Sequence, residues 1–290
     1  MALISAGAFR MGSNDHYPEE APAREVSVDA FEIDIHQVTN AEFAAFVADT
    51  GYVTLAERPL DPADFPGAPP ENLVPGSMVF TRTLGPVDLR HLSQWWTWTP
   101  GANWRHPDGP SSALEGRETE PVVHVAYEDA EAYATWAGKS LPTEAQWERA
   151  ARGGLNHAAY VWGDAPENGT PLANYWHGDF PWRPEEGYGR RTPVGSYPPN
   201  GYGLFDMAGN VWEWTTDWFT DRVSGPPCCV PAEAHSYDPA QPQFRIPRKV
   251  IKGGSYLCAD TYCLRYRPAA RRPQMIDTGM SHIGFRCVGE

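Results

Sequence analysis

Glycine and proline are spread through the whole of this 290-residue chain, and they constrain its fold more than any other feature. The sequence has 27 glycines and 29 prolines. Proline lacks the backbone donor that helix and sheet ladders need, and glycine loses much conformational entropy when it is ordered in them. We therefore expect many turns and few long elements. The 12 tryptophans indicate that aromatic packing holds such a turn-rich core together.

Three short helices are predicted. The first begins after Thr39, which forms a capping box with Glu42, and it ends at Gly51. The second spans roughly residues 128–138. The third begins after Thr143, whose capping partner is Gln146, and it ends before a glycine pair. Together they cover about 35 residues, well below the usual helical third of a globular chain.

Short strands account for the remaining regular structure. Alternating apolar residues predict strands within 3–38, and apolar runs predict them at Val122–Val125, Val211–Trp214, 250–252 and 284–288. Residues 57–120 show no helical period but contain a Trp95–Trp98 cluster, which we interpret as core packing in an ordered, irregular segment. No repeat or boundary divides the chain, so a single α+β domain over 1–290 with little regular secondary structure is expected.

Charge and hydropathy exclude two classes of partner. The chain has 23 basic and 37 acidic residues, a formal net charge of −14. Nucleic acid and anionic membranes both need a basic surface, so neither is expected to bind.

The sequence contains no run of about 18 apolar residues, so no transmembrane helix is predicted. The N-terminus has no basic region followed by a long apolar stretch, so we expect no export signal.

Two of the five cysteines, Cys258 and Cys263, follow a Gly-Gly pair and precede a run of arginines. Side chains five residues apart point in different directions both on a strand and on a helix, so the segment must bend if both sulfurs serve one site. A structural disulfide, a redox dithiol, zinc and Cu(I) are the alternatives, and two thiolates alone suit Cu(I) better than zinc. Spacing does not decide among them. Five cysteines are too few for a disulfide scaffold, so a reducing compartment is expected.

Two clusters are rich in oxygen ligands. Asp206, Gly209, Asn210 and Glu213 fall in one turn-rich stretch, and Asn174 with a Glu185–Glu186 pair forms a weaker cluster. Such oxygens suit calcium, but the pattern is not that of an EF-hand, and taken alone it favours a solvated polar turn over a calcium site.

Six segments, taken in order with the cysteine pair, form a recognisable set: AGAFRMG at 6–12, VTNAEF at 38–43, LPTEAQWE at 141–148, NGYGLFDMAGNVWEW at 200–214, KGGS at 252–255 and GFRC at 284–287. The set resembles the formylglycine-generating enzymes, the sulfatase-modifying-factor family. The resemblance covers nearly the whole chain. It implies a single-domain fold related to the C-type-lectin-like fold. RYRPAAR at 265–271, directly after the cysteines, is similar to the catalytic branch.

The resemblance also implies an activity. Such an enzyme oxidises the cysteine of a Cys-x-Pro-x-Arg type motif in a nascent sulfatase to Cα-formylglycine, with O2 and a thiol reductant. Cys258 and Cys263 would hold Cu(I), and the substrate cysteine would supply a third thiolate. Ser255 and Trp212 would form walls of the oxygen and substrate pocket, with Tyr262 beside the metal.

Further residues take their roles from the resemblance alone. His282 would contact substrate, at a position where some relatives have asparagine. One structural calcium would use the side chains of Asn174 and Glu186 with the carbonyls of Tyr175 and Tyr188. The other implied calcium would be held by the side chains of Asp206 and Glu213 and the carbonyls of Gly209 and Val211.

The resemblance implies a cytoplasmic enzyme, because the cysteines that form disulfides in secreted relatives are mostly absent and Pro268 stands where the usual partner of Cys287 would be. A monomer is expected. The alternative is a non-catalytic module of the same fold, which binds protein or peptide and in which Cys258 and Cys263 form only a disulfide.

Overall fold

Thirteen short strands and three short helices make up the regular structure that a computed structural model describes, over residues 1–63, 67–70, 73–167, 169–220, 232–243 and 245–289. The strands are β1 Ala2–Ile4, β2 Gly7–Met11, β3 Arg24–Val28, β4 Phe31–Ile33, β5 Gly76–Phe80, β6 Trp96–Pro100, β7 Gly178–Asp179, β8 Arg183–Pro184, β9 Trp212–Trp218, β10 Arg248–Lys252, β11 Arg271–Met275, β12 Ile283–Gly284 and β13 Val288–Gly289. Cys228 and Cys229, whose roles the sequence left open, lie outside the described residues.

The helices begin and end where local signals place them. Helix α1 spans Asn40–Thr50, and it has the predicted Thr39 capping box and a left-handed glycine at its C-cap. Helix α2 covers Tyr127–Trp136, close to the predicted range. Helix α3, Glu144–Ala151, carries the second predicted capping box. All three predictions are confirmed, and two of them rest on capping boxes, which depend only on residues three apart in sequence.

A four-stranded sheet in the order β11-β10-β9-β12 forms the centre of the described structure. Strands β10 and β11 pair antiparallel, and their register places Lys252 opposite Arg271. The 18 residues between those two positions therefore form a loop that leaves and re-enters the same sheet edge. A second sheet, β1-β4-β13, brings the two ends of the described chain together. The predicted cysteine pair lies on the loop, which we call the thiol loop (253–270).

Two strand predictions were wrong. Val122–Val125 is buried but is not a strand, because His124 has a left-handed φ of 60° that interrupts extended pairing. The predicted final strand is two strands in different sheets: β12 pairs parallel with β9, whereas β13 pairs antiparallel with β4. The chain turns between them, since the carbonyl of Phe285 accepts from Val38 N at 2.9 Å.

The segment predicted to be irregular contains a hairpin that the sequence analysis missed, because β5 and β6 pair antiparallel over five residues each. Trp95 precedes β6 and is only 1% exposed, so core packing is confirmed for this ring. Trp95 lies in an aromatic cluster with Trp176 and Phe180, which continues into Tyr256 and Leu257 of the thiol loop. No helix in the described part of the chain is long and apolar enough to cross a membrane.

Candidate active site

Two left-handed glycines start the thiol loop. Gly253 has a φ of 94° and Gly254 a φ of 73°. A Cβ on Gly254 would lie 2.9 Å from the carbonyl oxygen of Arg265, so the two limbs of the loop touch through backbone atoms. Only glycine allows both the conformation and the approach.

One tight turn brings the thiols together. The amide of Cys258 donates to Ser255 O at 2.9 Å, and the amide of Cys263 donates to Ala259 O at 2.7 Å. The two Sγ atoms lie 3.1 Å apart. A disulfide would place them about 2.05 Å apart, so both cysteines are free thiols here. The bend required for a shared site is therefore present.

The two sulfurs have opposite protonation preferences. Both are buried, with exposed fractions of 1% for Cys258 and 6% for Cys263. A hydrogen bond from the Cys258 thiol, together with the charges of Arg265 and Arg272, lowers the pKa of Cys263 despite burial. Burial, and then the hydrogen bond to its neighbour, raises the pKa of Cys258 well above its usual value. These effects favour the proton on Cys258 and negative charge on Cys263, where the two arginines stabilise it.

A small pocket adjoins the sulfurs, with a volume of about 20 Å³, enough for one water-sized molecule. Its walls include all four further residues expected at the site: Ser255, Trp212, Tyr262 and His282. Ser255 Oγ accepts from the amide of Leu257 at 3.2 Å, which leaves its own O–H available as a donor.

Two rings of the pocket are held by other aromatic side chains. Tyr262 stacks on Phe180 with centroids 4.6 Å apart and meets Trp95 edge-on at 5.7 Å. His282 packs on Trp96 at 4.7 Å. Its Nδ1 is buried and has no hydrogen-bond partner among the described residues.

Burial, and then the charge of Arg272, lowers the pKa of His282 well below its usual value, so the ring is neutral. Several of the pocket's walls are not predicted from the sequence, namely Trp95, Trp96, Phe180, Leu257 and Arg272. The sequence marks the tryptophan cluster as core, but nothing in it places Arg272 at the thiols.

The donor set fits a soft, low-coordinate metal better than zinc. Two cysteine sulfurs face one pocket, and no group of three or more His, Cys, Asp or Glu side chains arranged to hold a metal occurs within the described residues. Structural zinc needs four protein ligands and catalytic zinc three. Thiolates select Cu(I), which accepts fewer ligands, so these two sulfurs fit that ion.

The first predicted calcium site contains one buried side-chain oxygen, Asn174 Oδ1, without a hydrogen-bond partner among the described residues. Asn174 is fully buried, and its Nδ2 donates to Arg190 O at 3.0 Å and Asn210 Oδ1 at 3.1 Å. Its Oδ1 is buried without a hydrogen-bond partner in the described structure, as a cation ligand would be. Tyr175 and Tyr188 both pack on the ring of His177, with centroids 4.1 and 3.9 Å away.

Glu186 of the same predicted set is exposed. The residues Asn174, Tyr175 and Tyr188 are thus near one another, and the buried Asn174 oxygen fits a calcium ligand.

The second predicted calcium site fits less well. Both Glu213 carboxylate oxygens are engaged by protein donors: Oε1 accepts from Gln37 Nε2 at 3.0 Å and Arg286 at 2.8 Å, while Oε2 accepts from Trp147 Nε1 at 2.6 Å and Arg286 at 2.8 Å. This carboxylate has no free oxygen for an ion, so we assign no metal to it.

The other members of this set do lie together. Val211 O accepts from Gln37 at 3.0 Å, and Asp206 Oδ2 accepts from Gly195 N at 2.8 Å. Burial raises the pKa of Asp206 to about 6. Gly209 contacts the backbone of Asn174 so closely that a Cβ would lie 2.1 Å from its carbonyl oxygen.

Comparison with known proteins supplies the family. The family model described as "Sulfatase-modifying factor enzyme 1-like domain" matches residues 1–290. The chain belongs to this family. The predicted fold class, α+β with little regular structure in the sulfatase-modifying-factor fold, is therefore confirmed.

Several relatives share its full length. The formylglycine-generating enzyme of Mycobacterium tuberculosis is 54% identical, over 99% of this chain and 96% of the relative. That of Mus musculus is 43% identical, over 100% of this chain and 75% of the relative. The inactive C-alpha-formylglycine-generating enzyme 2 of Mus musculus is 36% identical, over 99% of this chain and 85% of the relative.

Among solved structures, PvdO from Pseudomonas aeruginosa has a TM-score of 0.64 at 24% identity, over 99% of this chain and 93% of PvdO. This likeness shows the fold alone.

Proposed function

We propose that the chain is a formylglycine-generating oxidase. Its substrate would be the cysteine of a Cys-x-Pro-x-Arg type motif in a nascent sulfatase polypeptide, converted to Cα-formylglycine. The observation that carries the proposal is the pair of buried, unbonded sulfurs 3.1 Å apart that faces a pocket. The 54% identical relative from Mycobacterium tuberculosis, a formylglycine-generating enzyme, supports the conversion of cysteine to formylglycine.

The overall reaction balances with one O2 and two equivalents of a thiol reductant. The thiol-bearing side chain of the substrate cysteine becomes an aldehyde, its sulfur leaves as hydrogen sulfide after the thioaldehyde hydrolyses, and the reductant becomes a disulfide with release of water. Cys258 and Cys263 would hold Cu(I), which supplies a redox-active centre with an open coordination position.

The chain's own residues prepare this site. Arg265 and Arg272 keep a negative charge on the sulfur pair, which favours binding of a soft cation. Trp212 and the O–H of Ser255 bound the pocket beside the sulfurs, and Tyr262 is locked in place by its aromatic neighbours. The unpartnered Nδ1 of His282 would accept a hydrogen bond from the substrate backbone.

The setting of the enzyme is part of the proposal. The net charge of −14 suits a substrate motif that contains arginine. Three buried cysteines without disulfides support a cytoplasmic enzyme. One chain supplies the described walls of the thiol pocket, so a monomer would be sufficient. A structural Ca²⁺ would use Asn174 and Glu186 with the carbonyls of Tyr175 and Tyr188.

Replacing either thiol tests the function. We expect Cys258→Ser and Cys263→Ser each to abolish conversion of a Cys-x-Pro-x-Arg peptide, because serine is a poor ligand for a soft metal. Loss of sulfur from the peptide, with gain of oxygen, is measured by mass spectrometry. Cys287→Ser is the matched control, since Cys287 is also buried and free but lies outside the pocket.

Full activity in both thiol variants would refute the dithiolate site. The non-catalytic alternative has its own signature. It predicts that the reduced, copper-loaded wild type converts no peptide. It also predicts that the protein as purified has two fewer titratable sulfhydryls than the same protein after reduction. The relative named as inactive makes this comparison necessary.

A further inference from the structure

Two adjoining cavities lie outside the thiol pocket, and they share Arg152, Asn156 and His157 as walls. The smaller has a volume of about 280 Å³ and the larger about 370 Å³. We call the smaller one the basic groove. Its lining contains Arg10, Arg149, Arg152 and His157 and, among the described residues, no aspartate or glutamate. Such a concentration of cations is unexpected in a chain with a net charge of −14.

Two of the arginines have no carboxylate partner among the described residues. Arg149 donates to backbone carbonyls, through Nε and Nη2 to Ser5 O at 3.2 and 2.9 Å and through Nη1 to Ala8 O at 3.3 Å. Arg10 is exposed on β2, and within the described ranges it forms no ion pair. Glu25 is the cross-strand neighbour of Arg10 on β3 but forms no ion pair with it, so both guanidinium groups remain able to donate to a ligand, and their charges add up on the same cavity.

The third arginine is buried and incompletely bonded. Arg152 is only 4% exposed, and its Nη2 donates to Glu148 at 2.7 Å. Glu148 also binds Lys252 at 3.1 Å, so its charge is shared between two cations. Arg152 Nε is buried and has no hydrogen-bond partner in the part of the chain that the structure describes. A buried donor without an acceptor costs free energy, which a bound acceptor would recover.

His157 adds a second unpaired nitrogen to the same wall. Its Nε2 is buried and lacks a hydrogen-bond partner among the residues described. Its backbone is held at a left-handed φ of 62°, a conformation that non-glycine residues seldom adopt. Strained residues with unpaired polar atoms cluster at binding sites more than elsewhere.

We propose that the basic groove binds a small multivalent oxyanion of the phosphate or sulfate class. Arginine forks match the oxygens of such anions, and Arg10 and Arg149 can each donate to it without giving up a carboxylate. The neighbouring larger cavity carries Asp15 and Asp164 as well as Arg267, so its lining is mixed in charge and would hold an anion less strongly than the basic groove does. The site is independent of the oxidase assignment.

Titration calorimetry on the complete chain tests the proposal. Inorganic phosphate and sulfate are titrated separately, each against chloride at equal ionic strength, since general screening must be subtracted. We expect saturable binding at one site for phosphate or sulfate, and weaker binding for acetate, which carries a single charge. A preference between the first two identifies which oxyanion the groove selects.

Arg10→Gln is the decisive variant, because this exposed side chain forms no ion pair in the described part of the chain. We expect its Kd for the bound oxyanion to rise about tenfold, as for loss of one charge-assisted hydrogen bond. His157→Asn, which tolerates the left-handed backbone, is a second variant and should also bind more weakly. Arg90→Gln removes the same charge from an exposed arginine outside the groove and should bind as the wild type does.

Three results would overturn the proposal. Equal heats for phosphate, sulfate and chloride would show only ionic-strength effects. Equal weakening in Arg10→Gln and Arg90→Gln would show attraction to the surface in general. Wild-type affinity in both groove variants would place the ion elsewhere. None of these readouts depends on copper or on peptide conversion, so failure of the oxidase proposal leaves this test intact.

Discussion

At the scale of single residues, one buried ion pair, Glu213 with Arg286, has every carboxylate position filled. Glu213 and Arg286 are both fully buried and form two hydrogen bonds to each other, and Trp147 and Gln37 occupy the remaining positions of the carboxylate. Both charged residues come from segments that carry the family resemblance, WEW and GFR. Their role in this structure is to join β9 to the C-terminal segment, which explains their presence without a metal.

Asp129 is a buried carboxylate of the opposite kind, because it has no cationic partner among the described residues. It accepts hydrogen bonds from the amides of Ala126 and Leu55 and from the hydroxyl of Tyr52. Burial outweighs these bonds and raises the pKa of Asp129 to about 6. A raised carboxyl pKa means that the folded state binds the proton more tightly than the unfolded state, so stability increases as pH falls from 7 towards 4.

We therefore expect the free energy of unfolding to gain about 1 kcal/mol from this group between pH 7 and pH 5. Urea unfolding at several pH values measures it. Asp129→Asn should remove this contribution from the pH profile, whatever its effect on absolute stability. Asp61→Asn, at an exposed site, should leave the profile unchanged. Parallel profiles for wild type and Asp129→Asn would contradict the assignment.

At the scale of elements, the thiol loop depends on its closure at the sheet edge. Strands β10 and β11 fix both ends of the loop in register, and Gly254 lets its limbs meet. The sulfurs lie beyond this contact, so their separation depends on a backbone approach some residues away. Rigid strands that present a short, closed loop are the means by which a turn-rich fold can position a metal site.

Gly254→Ala should disrupt this arrangement. The new Cβ would be 2.9 Å from backbone atoms of Arg265 and Tyr266, in a left-handed conformation that already costs about 1–2 kcal/mol for alanine. Overpacking adds about 1–3 kcal/mol. We expect a lower Tm and weaker binding of Cu(I) in a chelator competition assay.

Gly51→Ala is the matched control, because its φ of 69° is similar but its Cβ would meet nothing within 4 Å. This variant should lose only the conformational cost and should retain the Cu(I) affinity of the wild type. Equal Cu(I) affinities in the two glycine variants would show that loop closure does not position the sulfurs.

At the scale of the whole molecule, backbone hydrogen bonds between turns hold distant segments together, because the chain has little regular structure. Asn174 and Gly209 lie in separate turns, yet Asn210 N donates to Asn174 O at 2.8 Å, and Tyr256 N of the thiol loop donates to Asn210 O at 3.0 Å. An ion bound at Asn174 would therefore strengthen a region that supports the thiol loop directly.

We expect Ca²⁺ at 100 times its Kd to stabilise the protein by about 2.7 kcal/mol, a rise in Tm of roughly 4–5 °C for a chain of this length. Thermal unfolding in chelator and in added calcium measures the shift. Glu186→Gln should reduce it, since an anionic ligand is lost, whereas the adjacent exposed Glu185→Gln should not. No shift in the wild type, or equal shifts in both variants, would exclude calcium at this site.

The sequence by itself determined the features that depend on neighbouring residues. Capping boxes at Thr39 and Thr143 located two helices, and the Gly-Gly pair indicated a loop able to bend around two thiols. The ordered motifs from residue 6 to residue 287 identified the family, because they preserve identity and order along the whole chain.

Only the tertiary structure decided what depends on residues far apart in sequence. It placed Trp95, Phe180 and Arg272 around the sulfurs. It also paired the carboxylate of Glu213 with Arg286, so that this carboxylate is not free to bind a metal ion. It also interrupted the predicted strand at His124. The reason is physical: burial, charge pairing and close packing are set by non-local contacts, which no local pattern records.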